Sequence, residues 1–261
     1  MKFSRLVGMA LLLACGPLSA QEGETTEKPK LPPRQVRFLP VGDLATYRFE
    51  ERDGVQYELE PPPGSVPPRE VMVGFGDEAE ASAVRLLLGR ITEPLKAPGG
   101  GGPMLVRRRE DGAEAEPWMR VNRPEEGDFL VLLWRANPKG SWAEARSLVL
   151  PDGPTAAPAG EVRVVNLSPV PVGMVFNGEQ IKLPAGKITR HRVPIGKDAP
   201  IWLGAEDVKG KLKRFHSGAV FQNRGERTLV VIYRADGDQK RLPLKAVIRR
   251  EPMPQPLKKD P

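Results

Sequence analysis

Between Glu161 and Pro194 the chain reads EVRVVNLSPVPVGMVFNGEQIKLPAGKITRHRVP, three short runs of strand composition between two turn signals. Val162, Val164, Val175 and Phe176 are β-branched or aromatic, types that suit a pleated surface. Asn177-Gly178 tolerates the two positive φ values of a tight hairpin turn, and Pro184–Gly186 is a second stop. Runs this short, closed by turns this tight, point to sheet. The rest of the chain varies the same unit. Its 29 prolines and 27 glycines fall between apolar runs and not in tracts, which disfavours long helices. The fold class expected is all-β: two tandem small β-sandwich-like domains after a signal peptide.

The first twenty residues carry the export reading. Lys2 and Arg5 form a positive n-region, Leu6–Ala14 a nine-residue apolar core, and Leu18-Ser19-Ala20 a small-residue end before Gln21. Such a segment is too short to span a bilayer as a stable helix. Two maturation routes are open. Cleavage after Ala20 gives a periplasmic or secreted chain; Leu12-Leu13-Ala14-Cys15 as a lipoprotein box gives one anchored through an acylated Cys15. Cys15 is the single cysteine, so either route leaves a fold without a disulfide. Cleavage removes Lys2 and Arg5 and no acid, leaving 38 basic against 33 acidic residues. That modest excess favours anionic polymers or an envelope surface as partners.

Composition then divides the chain. Gln21–Arg34 (QEGETTEKPKLPPR) reads as a disordered tether. The first β domain runs over 35–150. Val36–Leu39 is its first strand, and Ala45–Glu50 with Val55–Leu59 forms a hairpin about Asp53-Gly54. Pro61–Pro68 is a stiff crossover. In Asp77–Leu88 an acidic first turn favours a short helix while its second half suits a strand. Pro151–Gly160 (PDGPTAAPAG) is the linker. The second β domain covers 161–250, and Glu251–Pro261 is a disordered tail.

Two echoes suggest duplication. Leu130–Asn137 (LVLLWRAN) and Leu229–Asp236 (LVVIYRAD) share four of eight positions, and both lead into polar turns. Val84–Leu87 aligns with Val162–Val165 as the earlier anchor. The order VRVVNLSP, FNG, LPAG over Val162–Val193 resembles uncharacterised β-sandwich domains common in secreted bacterial proteins. The charged stretch Lys197–Phe215 departs from that pattern. The resemblance implies a sandwich fold and carries no catalytic residue onto this chain.

Little in the chain points to chemistry. His191 and His216 are too few for a metal site and stand in no ligand-spaced motif, so no metal or other cofactor is expected. There is no G-x-S-x-G elbow, and Ser217 merely adjoins His216. Gly99–Gly102 lacks the setting of a phosphate loop. The acids Glu125, Glu126, Glu206 and Asp207 sit in expected loops. The last two are the residues on which an alternative reading, a hydrolase of an envelope or extracellular polymer, would rest.

The basic clusters are the stronger lead. Arg107–Arg109 ends a strand, and Lys187, Arg190 and Arg192 are expected to share one strand face. Lys211, Lys213 and Arg214 follow Lys209, with Phe215 beside them. Contact with an anionic polymer is assigned to Lys187, Arg190, Arg192, Lys211, Lys213 and Arg214, and would weaken with salt. Nucleic acid is not expected as the partner of an exported chain without a recognition module. A partner protein remains the other candidate, and the mature chain is expected to have no transmembrane segment. The function expected is an exported, non-enzymatic binding or structural β-domain protein.

Overall fold

The structure is a computed structural model and describes residues 31–76, 81–112, 115–207, 209–237 and 243–254. The segment read as a signal peptide, Cys15, most of the segment read as a tether, Asp77 to Glu80 and the last seven residues of the chain lie outside the described residues. From Leu31 onward the chain forms one compact unit. It is all-β, as its composition suggests; among the described residues no helix is long and apolar enough to cross a membrane.

The first half builds two four-stranded sheets. One has the order β10-β9-β1-β6, from β1 (Arg34–Pro40), β6 (Leu95–Ala97), β9 (Phe129–Arg135) and β10 (Ala145–Pro151). The other has the order β5-β4-β7-β8, from β4 (Glu70–Gly74), β5 (Ser82–Arg85), β7 (Gly102–Arg108) and β8 (Met119–Arg123). An additional hairpin, β2 (Arg48–Arg52) with β3 (Val55–Leu59), forms a sheet of its own.

The second half has the same plan without that hairpin. One sheet runs β14-β11-β17-β18, from β11 (Glu161–Asn166), β14 (Ile188–Arg192), β17 (Glu226–Arg234) and β18 (Leu244–Pro252). The other runs β13-β12-β15-β16, from β12 (Val172–Phe176), β13 (Glu179–Leu183), β15 (Asp198–Glu206) and β16 (Leu212–Phe221). In both halves the first strand pairs in parallel with the next-to-last, β1 with β9 and β11 with β17.

Register fixes which residues correspond. Arg37 faces Leu130 and Arg163 faces Leu229, so VRFL of β1 answers VRVV of β11. Val84, aligned above with Val162, instead lies on the edge strand β5 opposite Val71. Four-residue apolar strands ending near an arginine resemble each other too closely for composition to choose between them.

Each half closes its own core. Val36, Phe38, Phe129 and Val131 pack against Val71, Val73, Met104 and Val106 in the first. Val162, Val164, Val230 and Ile232 pack against Val172, Met174, Ile201 and Leu203 in the second. The opposite faces of the same strands meet in a third core, where Leu39, Leu130, Leu132 and Leu150 contact Val165, Val231 and Tyr233. This double burial explains why LVLLW and LVVIY do not alternate: both faces are covered, as in parallel sheets. Each such side chain contributes roughly 1.5–3 kcal/mol when fully buried.

Boundaries shift where charge is buried. Arg34, placed in the tether by composition, begins β1 and donates to the carbonyls of Gly100 and Pro124 at 2.5 and 2.8 Å. Glu251, placed in the tail, lies in β18 and joins a buried ion cluster with Arg37, Asp152 and Arg227. The second half of Asp77–Leu88 is a strand over Ser82–Arg85.

Candidate binding face of the second half

The sheet β13-β12-β15-β16 buries one face in the second core and leaves the other open. Alternation decides which residues appear there: Val172, Met174, Ile201 and Leu203 point inward, so Gly173, Val175, Trp202 and Gly204 point outward. One cross-strand row reads Lys182, Gly173, Gly204, Arg214. The next reads Gln180, Val175, Trp202, Ser217.

The paired glycines shape this face. A Cβ on Gly204 would stand 2.6 Å from Cη2 of Trp202, so the indole lies across the bare backbone of its own strand. A Cβ on Gly173 would lie 3.8 Å from Cδ1 of Leu212, whose side chain leans in from β16. The register break between Leu203 and Gly204 adds a bulge at the same place. A groove of about 1050 Å³ results, with Trp202, Gln180, Lys182, Glu206 and Leu212 among its walls. On the paired strands β4 and β7, the outward pair matching Gly173 and Gly204 is Met72 and Arg107.

Asp207 closes the loop before β16. Its Oδ1 accepts from the backbone N–H groups of Lys209 and Lys211 at 2.9 and 3.0 Å, and its Oδ2 lies 3.1 Å from Nζ of Lys213. The Lys211 amide, the Lys213 ammonium and the Lys209 amide hold its carboxyl below the usual carboxylate range. A general acid at neutral pH needs the opposite shift, so Asp207 has the character of a turn anchor. Glu206 is exposed and stands opposite Leu212.

The basic residues singled out from sequence fall on two separate edges. Lys211 precedes β16 while Lys213 and Arg214 lie on it, and all three are exposed. β16 makes cross-sheet contact with β18, whereas β14 ends its sheet on the other side, beyond β11. Lys187 lies in the turn before β14, its N–H donating to Pro184 O at 3.1 Å. Its offsets of three and five positions from Arg190 and Arg192 are odd, so only those two share a strand face. Arg190 is further drawn toward Glu161 Oε1, at 4.0 Å.

The histidines belong to the packing. His191 stacks against Phe176 with ring centroids 4.7 Å apart, and Nε2 is 3.1 Å from Thr189 Oγ1. His216 faces inward opposite Leu203. Burial lowers the pKa of both, so both are neutral at pH 7. Among the described residues no three of His, Cys, Asp and Glu converge as metal ligands.

Sequence reasoning missed Trp202, Lys182 and the glycine pair. The available signal was GMVF and WLGAE, two apolar strands each with an interior glycine, a mark of close approach over a sheet. No protein-family model matches the chain, and comparison with curated proteins finds no similar sequence.

Proposed function

We propose that the chain is an exported, non-enzymatic binding protein of two tandem, duplicated β-sandwich domains. In this reading the second domain holds an anionic polymer of the envelope or extracellular space along its open face. The observation that carries the reading is the row Lys182–Gly173–Gly204–Arg214, two cations flanking bare backbone, with the Trp202 ring beside it. A flat indole over a glycine floor offers a stacking surface to a sugar ring, and the flanking cations attract carboxylate or sulfate groups. The shared strand order of the two halves supports duplication. The n-, h- and c-regions of Met1–Ala20 support export, with Cys15 acylation as the lipoprotein variant.

The test uses the mature chain in affinity electrophoresis through gels containing alginate, neutral dextran or poly-glutamate. Retardation by alginate that fades with added salt is expected. Lys182→Gln with Arg214→Gln should remove most of it, since exposed ionic contacts are worth only about 0.2–1 kcal/mol each. Trp202→Ala should weaken alginate binding more than poly-glutamate binding. Equal retardation of wild type and the double variant would overturn the reading.

A further inference from the structure

The hairpin β2–β3 has no counterpart among the described residues of the second half. The first half places 29 residues between β1 and β4, where the second places five between β11 and β12. Nearly every residue of the hairpin is exposed, including Phe49 at 59%, Val55 at 51% and Tyr57 at 51%. A lone two-stranded ribbon is marginal in water, and its two unpaired edges are templates for another strand. The described chain covers neither edge.

The two edges differ in what they accept. Asp53 and Gly54 both have positive φ, 52° and 77°, so the loop is a two-residue type I′ turn and Arg52 opposite Val55 is its hydrogen-bonded pair. Bonded and non-bonded pairs then alternate. Val55, Tyr57 and Leu59 spend their backbone groups on β2, while Gln56 and Glu58 turn theirs to the free edge of β3. On the other side, Phe49 and Glu51 turn theirs to the free edge of β2.

Consider each edge meeting its own copy in antiparallel fashion. On β2 the equivalent register, a two-fold centred at Glu50, sets Glu50 against Glu50 and Arg48 against Arg52, like charges at each pair on that face, with Phe49 against Glu51 on the other. On β3 a two-fold centred at Tyr57 sets Tyr57 against Tyr57, Val55 against Leu59 and Gln56 against Glu58. No like charges meet. Gln56 and Glu58 can exchange both backbone bonds on each side of the axis. The six apolar residues form one continuous stripe, and Tyr57 occupies the closer, non-bonded site.

We propose that β3 is a self-association edge, and that two copies join through antiparallel β3–β3 pairing centred on Tyr57 into a four-stranded sheet. The contact is isologous and closes on itself, so it yields a dimer and not a fibre. The two-domain body is left free on either side of the paired arms.

Sedimentation equilibrium of the exported chain across micromolar concentrations reads the association directly. A monomer–dimer equilibrium is expected, and Tyr57→Lys, which places two ammonium groups at the two-fold, should raise its dissociation constant at least tenfold. Register is read by disulfide trapping in a Cys15→Ser background. Tyr57→Cys should cross-link alone under mild oxidation. Val55→Cys should not cross-link alone but should do so when mixed with Leu59→Cys. A chain that stays monomeric without cross-linking at position 57 would overturn the proposal. So would a dimer indifferent to Tyr57→Lys, or cross-linking of Val55→Cys alone as efficient as that of Tyr57→Cys.

Discussion

The guanidinium of Arg37 on the first strand grips the carboxylate of Glu251 on the last strand, 214 residues away, through two hydrogen bonds of 2.7 and 2.8 Å. The same guanidinium donates to Asp152 Oδ2 at 2.5 and 2.9 Å, and Arg227 reaches both acids from β17. Asp152 and Glu251 occupy matching positions after β10 and on β18, so the shared strand order brings both acids to the seam between halves. Arg37→Met would leave two buried carboxylates short of a partner. Removing one member of such a cluster costs about 3–5 kcal/mol. Urea denaturation should show that loss, whereas an exposed ion pair such as Arg52–Glu50 should give a change near zero when cut.

Asp43 makes stability acid-sensitive. Burial pushes its carboxyl up, but hydrogen bonds from Lys245, the Gly237 N–H and the Tyr233 hydroxyl outweigh burial and leave its pKa lowered. Glu251 is lowered in the same way, burial being outweighed by Arg37 and Arg227. A folded pKa below the unfolded one gives stability that is whole above the unfolded range, about 3.9–4.3, and lost as pH falls through the folded value. Wild type should therefore lose Tm below about pH 4, a loss softened by Asp152, whose carboxyl burial pushes up. Asp43→Asn should be less stable at pH 7, with the gap narrowing toward pH 2. A gap that stays constant with pH would contradict the assignment.

The connection Pro151–Gly160 should resist proteases despite its composition. Arg163 donates to the carbonyls of Pro151 and Ala156 at 2.6 and 2.5 Å. Arg227 donates to those of Asp152 and Ala157 at 2.6 and 3.2 Å. With the third core shared, thermal unfolding should follow one transition, and limited proteolysis should leave no pair of fragments ending within this segment. Two calorimetric transitions would mean that the halves unfold independently.

Legibility in the sequence tracked the range of the forces involved. The hairpin at Asp53-Gly54 and the one at Asn177-Gly178 were readable because a two-residue turn needs a local backbone conformation that few residues adopt. The echo of LVLLWR in LVVIYR was visible because strands buried on both faces must be apolar throughout. Lys187 groups with Arg190 and Arg192 in the sequence because three basic residues in six look periodic, although turn geometry breaks the parity before β14 starts. Trp202 stands out little in a strand, since the place of its ring depends on the missing side chain of Gly204.

By itself the sequence determined the material: short strands and tight turns. These follow from steric limits on single residues and from alternation along one strand, which act within a few positions. Only the tertiary structure decided where charge would be buried. Arg37, Arg163 and Arg227 look like surface residues in any window of sequence, yet all three are about 95% buried or nearly so. Whether an arginine faces water depends on what packs against the far side of its sheet, and here that is the other half of the chain. The same dependence makes Glu251 a partner of the first strand and not a tail residue, because its ion partner Arg37 stands 214 positions away.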